Sequence, residues 1–211
     1  MIVEKSNLRE EDENMVNIVS QFLVENFYKK LTNSFEIVTD KNRQIKGIDS
    51  IFIMDGFEYV CDEKSTVRYI NKNLQTFSLE LSFIDRNGNL MDGWLVDNQK
   101  INNSFLFIYV DEAKQNILSC VEDIKKIEIL LIKKDEILKY LANLGWTKEK
   151  LLKKAVKVRN NSEEYCGNII KNNCKFVCSR QLYEQPVNVL LQRKVLRKLA
   201  DKNLIFKVEW A

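Results

Sequence analysis

The chain has 211 residues, 45% of them hydrophobic and 30% charged, with a formal net charge of +3. That supports one domain with decorations, or at most two small ones, with a sizeable core, and so small a net charge neither demands nor excludes a nucleic-acid partner. Histidine is absent. Its absence removes Ser-His-Asp and Cys-His catalysis and His-ligated zinc, and leaves acid–base or metal chemistry to carboxylates, lysine, tyrosine or cysteine.

Other absences narrow the class further. There is no GxGxxG and no glycine-rich phosphate loop, which argues against the nucleotide-binding folds built on them. Six glycines and one proline argue against flexible linkers. No apolar run is long enough to predict a membrane span, and the opening "MIVEKSNLREEDEN" has no signal-peptide core. Five cysteines without regular spacing predict reduced thiols and a cytoplasmic location. Cys166, Cys174 and Cys178 in "CGNIIKNNCKFVC" would need a fourth ligand such as Cys120 to hold zinc, so ordinary thiols are the preferred reading.

In chain order, residues 9 to 32 are predicted as a helix with Met15, Val19, Phe22, Leu23 and Asn26 on one stripe. Asp12 projects onto the edge of that stripe, Glu11 flanks its other edge, and a first-turn acid also favours the helix dipole. Residues 35 to 38 predict a short strand, followed by two β-rich runs around Asp55-Gly56. "TFSLELSFI" alternates, with Phe77, Leu79, Leu81 and Phe83 facing a core. "LMDGWLVD" and "SFLFIYVD" predict two more strands. "KKDEILKYLANLG" and "TKEKLLKKAVKV" predict two helices broken at Gly145, with Thr147 as N-cap. The second holds Lys150, Lys153 and Lys154 in the most basic stretch of the chain, read either as a solvated face or as a contact for a phosphate backbone. A strand "VNVLLQ", a helix "RKVLRKLA" and a strand "LIFKVEW" complete the chain. The expected organisation is one domain, with a core over about 10–111 and a helical and α/β extension over about 120–211.

The hairpin carries the chemistry. Asp-Gly between apolar runs predicts a two-residue turn with both residues at positive φ. Met54 then pairs with Phe57, Ile53 with Glu58, Phe52 with Tyr59, Ile51 with Val60 and Ser50 with Cys61, which sets Asp49 opposite Asp62. Directly opposed Cβ atoms lie about 4.5–5.5 Å apart. Alternation puts Lys64 on the Asp62 side and Glu63 on the other. The apolar flanks predict strands covered on both faces. Two facing carboxylates there must share a proton or a cation, and a hard divalent ion is the simplest solution. A slipped register or solvent-exposed strand ends are the bland alternatives.

"KGID", the intervening hairpin and "DEK" resemble the signature of the PD-(D/E)xK nuclease superfamily. Asp49 matches its first acid, Asp62 its second and Lys64 its lysine. Ile48 stands where the superfamily name has proline. The likeness extends over roughly residues 10 to 110, where Asp12 is the better match to the acid of the family's first helix and Glu11 the runner-up. Gln75 is a loose match to a downstream glutamine. The resemblance implies a restriction-endonuclease-like α/β fold, with a mixed central sheet flanked by helices and here a C-terminal α+β extension. Three strands after the hairpin without an intervening helix depart from the usual αβββαβ core.

The resemblance also implies phosphodiester hydrolysis assisted by Mg²⁺ or Mn²⁺. Asp49 and Asp62 would hold the metal, Lys64 would orient water or stabilise developing charge, and Asp12 would assist. Arg43, Lys46 and Lys72 are candidate phosphate contacts, each weighed against a solvated surface charge. The expected partner is nucleic acid, DNA in preference to RNA, and a homodimer is an assembly the family allows. The rival expectations are a scaffold that binds nucleic acid or a protein without cutting, and a structural protein whose aspartates cap a sheet edge.

Overall fold

The computed structural model describes residues 2–160, 170–171 and 174–208. The chain begins with α1 (Ile2–Leu23), which runs through a π-helical turn (Val24–Tyr28) into α2 (Lys29–Leu31). Next come β1 (Ser34–Ile37), α3 (Lys41–Ile45), β2 (Ser50–Met54) and β3 (Phe57–Ser65). They are followed by β4 (Thr76–Ile84), β5 (Leu90–Asp92), β6 (Ser104–Ala113) and β7 (Ile124–Lys133). The remainder is α4 (Lys134–Asn143), α5 (Lys148–Asn160), β8 (Ile170–Lys171), β9 (Cys174–Cys178), β10 (Val187–Gln192), α6 (Arg193–Leu199) and β11 (Lys202–Lys207).

Two compact units result. The first comprises Met1–Leu74, Asn102–Ile132 and Ala200–Ala211, the second Gln75–Ile101 and Lys133–Leu199. This differs from the expected break between residues 111 and 120. The alternating strand β4 pairs antiparallel with β10, more than a hundred positions along the chain, and not with the hairpin. A local pattern states that a strand has one buried face but not which strand it will meet.

The first unit is built on a six-stranded sheet in the order β1-β2-β3-β6-β7-β11. β1, β2 and β3 pair antiparallel, β6 lies parallel to β3, and β11 is antiparallel to β7, so the sheet is mixed and the fold α/β. Only a short 3₁₀ turn (Val67–Tyr69) precedes the chain's departure toward β4, as the lack of helical periodicity there predicted.

One face of this sheet carries the core. Met15, Val19, Phe22, Leu23, Phe27 and Tyr28 from the helix pack with Phe52, Tyr59, Cys61, Leu106, Ile108, Ile127 and Ile129. The expected stripe would continue from Phe22 to Asn26. The π-helical turn adds one residue to a turn and so advances the phase by one. Phe27 and Tyr28 are buried, and Asn26 turns back to donate to the Phe22 carbonyl at 3.1 Å.

The other face of the hairpin is less covered than expected. Ile53 is 37% exposed, and Ile51 and Val60 are half-buried. The strand β7 was not anticipated, because Ile127–Ile132 is buried on both faces with Glu128 fully buried among the aliphatics, and period-2 alternation fails.

The second unit holds a five-stranded antiparallel sheet in the order β5-β4-β10-β9-β8. Leu151, Ala155 and Val158 of α5 are buried as that helix packs on β4, β9 and β10. The strand expected over residues 90 to 97 stops at Asp92. At Gly93 the chain passes so close to Glu80 that a Cβ would lie 2.5 Å from its carbonyl carbon, and the backbone turns there.

A candidate metal centre on the first hairpin

Asp55 and Gly56 both have positive φ (52° and 77°), the geometry a two-residue primed turn requires. The ladder follows from it: Met54 pairs with Phe57, Phe52 with Tyr59 and Ser50 with Cys61. Upstream, Asp40 caps α3 by accepting from the Arg43 N–H at 2.9 Å, and the Ile48 N–H closes on the Arg43 carbonyl at 3.1 Å. Asp49 therefore enters the sheet from a fixed turn, and its own N–H donates to the Cys61 carbonyl at 2.8 Å.

The Asp49, Asp62 and Lys64 side chains lie near one another. Asp49 Oδ2 accepts from the Glu63 backbone N–H at 2.8 Å. Asp62 is buried, and the Lys64 ammonium pairs with its Oδ1. Burial, followed by the Asp62 charge, pushes the Asp49 carboxyl up to about 7, against the opposing pull of Lys64 and the Glu63 N–H. Near neutral pH Asp49 is thus about half protonated, and a cation beside it would take the place of the proton.

Glu63 lies on the opposite face of β3, as alternation demands, and meets the core. The Tyr28 hydroxyl donates to the Glu63 carboxylate and lies 2.8 Å from Ser50 Oγ. Burial raises the Glu63 carboxyl, opposed by the two hydroxyls, and burial with the adjacent Glu63 charge drives the Tyr28 phenol far up. Sequence reasoning did not find Tyr28 or Ser50. Tyr28 reaches Glu63 only through the phase advance of the π-helical turn, a type of turn that recurs at functional sites. The signal that was available is Glu63 itself, a charged residue at a core-facing position of a strand.

The remaining predicted residues are distributed more widely. Asp12 forms a two-pronged pair with Arg68, at 2.5 Å to its Nε, and is not among the groups that perturb Asp49. It lines a groove of about 970 Å³ with Glu13, Val16, Asn17, Lys41, Gln44 and Ile45. Glu11 borders a smaller cleft with Glu10, Asn14, Ile117 and Leu118. Arg43 is bidentate to Glu36, Lys46 is exposed at the end of α3, and Lys72 Nζ lies 5.9 Å from the Tyr69 ring centre. Lys150, Lys153 and Lys154 belong to the second unit, as does Gln75, whose carbonyl accepts from the Arg193 N–H at 2.8 Å. Cys166 lies outside the described residues, and Cys174 and Cys178 are buried free thiols on β9.

The donor set suits a hard divalent cation. Mg²⁺ keeps several waters and takes one or two carboxylates together with substrate phosphates, and Asp49 with Asp62 supplies two. Among the described residues no group of three or more His, Cys, Asp or Glu side chains is placed to hold a metal ion.

No protein-family model and no curated protein matches the chain. Among solved structures it is similar to the restriction endonuclease BglI bound to its DNA recognition sequence. The identity is 12% and the TM-score 0.32, over 76% of this chain and 55% of the BglI chain. This chain thus spans little more than half the length of that enzyme, and a likeness of this size says nothing about chemistry. Among the described residues no helix is long and apolar enough to cross a membrane.

Proposed function

We propose that the protein is a metal-dependent phosphodiesterase acting on nucleic acid, DNA in preference to RNA, with Asp49, Asp62 and Lys64 as its site. One observation carries the reading. Two carboxylates are held side by side, one of them raised to about 7, with a lysine ammonium on the other. A protein that needed only a stable sheet end gains nothing from that repulsion, because an isosteric amide would remove it.

Asp49 and Asp62 would hold Mg²⁺ or Mn²⁺. The bound ion would polarise a phosphoryl oxygen and bring the pKa of water toward neutrality. Lys64, whose ammonium pairs with Asp62, would orient the attacking water or stabilise the charge that builds on the phosphoryl group. The Glu63 N–H fixes the Asp49 carboxylate in place, so its position does not depend on the ion. Tyr28, bonded to Glu63 and Ser50, holds the far side of the same strand.

The test is cleavage of plasmid and single-stranded DNA with Mg²⁺ or Mn²⁺, run beside Lys64→Ala and Asp62→Ala. Cutting by the wild type that both substitutions abolish supports the assignment. DNA that is shifted in a gel yet left intact indicates a binding scaffold and overturns hydrolysis.

A further inference from the structure

The helix α5 shows an unusual division of its faces. Leu151, Ala155 and Val158 are buried against the second unit's sheet. Lys150, Lys153, Lys154 and Lys157 follow at i, i+3, i+4 and i+7, the spacing of a single helical stripe. At 1.5 Å per residue that row is about 10 Å long, or roughly three base steps at 3.4 Å along one strand of DNA.

The row lines a cleft. The four lysines and Trp146 enclose about 330 Å³. Trp146 packs edge to face on the buried Phe176 at 4.8 Å, and Lys154 Nζ lies 5.8 Å from the Phe176 ring centre. Glu149 pairs with Lys153 at 2.6 Å, while Lys150 and Lys157 make no ion pair among the described residues. The Trp146 indole Nε1 is buried and has no hydrogen-bond acceptor among the described residues.

From this arrangement we infer that the cleft binds the phosphodiester backbone of nucleic acid. Several lysines in a row beside an aromatic ring give sequence-independent, salt-sensitive affinity. A membrane surface fits the helix less well, since such helices set an exposed apolar face beside their lysines, and the apolar face of α5 is buried in the unit's own core. The inference stands on the second unit alone and does not depend on hydrolysis by the first.

The experiment uses the full chain carrying Asp62→Asn, in EDTA, so that cleavage does not enter. Its affinity for labelled single-stranded and duplex oligonucleotides is measured across a salt series, beside polyglutamate and phosphatidylserine vesicles. Combined Lys150→Ala and Lys157→Ala should lower the slope of log K against log salt by about 1.8, at roughly 0.9 per phosphate contact, and weaken binding at least about tenfold. Lys150→Arg with Lys157→Arg, which keeps the charge, should preserve the slope. Trp146→Phe, which keeps the ring and removes the N–H, should abolish the DNA-dependent change in tryptophan fluorescence. An unchanged slope in the alanine pair, a fluorescence change that survives Trp146→Phe, or equal binding to polyglutamate or vesicles overturns the inference.

Discussion

The Glu63 backbone N–H donates to Asp49 Oδ2 at 2.8 Å, so a residue whose side chain faces the core holds, through its main chain, a carboxylate on the opposite side of the sheet. The acid pair and the Tyr28–Glu63 contact are therefore two sides of one strand, and each is open to a separate measurement.

Asp62→Ala should abolish Mn²⁺ binding in calorimetry, and Asp49→Asn should weaken it at least about tenfold, or about 1.4 kcal/mol. Mn²⁺ affinity that survives Asp62→Ala would remove the centre assigned to the hairpin.

Lys64→Ala should leave Mn²⁺ affinity close to that of the wild type and lower the cleavage rate by a factor on the order of 10² or more, the scale for loss of one positioned electrostatic group. Single-turnover cleavage at saturating metal separates the two effects. Equal losses in binding and rate would make Lys64 a structural counter-ion to Asp62.

Stability without divalent metal should fall as pH rises. The Asp49 carboxyl has a pKa of about 7 in the folded chain against an ordinary value of 3.8. Between those values the folded state keeps a proton that the unfolded state has released, so unfolding free energy decreases with pH across that window and levels off above it. The expected loss between pH 5 and 8 is about 2–4 kcal/mol. Thermal melts should show Mg²⁺ or Mn²⁺ restoring stability at pH 8, and Asp49→Asn flattening the profile. A wild-type Tm that rises over this range in EDTA would contradict the assignment.

Tyr28→Phe removes the hydroxyl from a half-buried carboxylate and should cost about 1–3 kcal/mol in urea denaturation, the penalty for leaving such a group unsatisfied. Glu63→Gln keeps an acceptor and sheds the charge, so it should change stability by less than about 1 kcal/mol. A neutral Tyr28→Phe would mean that the phenol contributes only its ring to the core.

Asp12→Asn should change Mn²⁺ affinity by less than about threefold, roughly 0.6 kcal/mol, because its carboxylate is committed to Arg68. A larger loss would draw the first helix into the centre.

What the sequence by itself determined is the local geometry of the hairpin. A two-residue Asp-Gly turn admits one register, and the ladder from Met54–Phe57 to Ser50–Cys61 follows from it without reference to the rest of the chain. What only the tertiary structure decided depends on contacts distant in sequence. The pairing of β4 with β10 divides the chain into two units. The π-helical turn rotates Tyr28 onto Glu63, and Arg68 claims Asp12. Periodicity and turn chemistry act over a few residues, whereas a strand's partner, a one-residue phase advance and the choice of counter-ion are settled by packing across the whole fold.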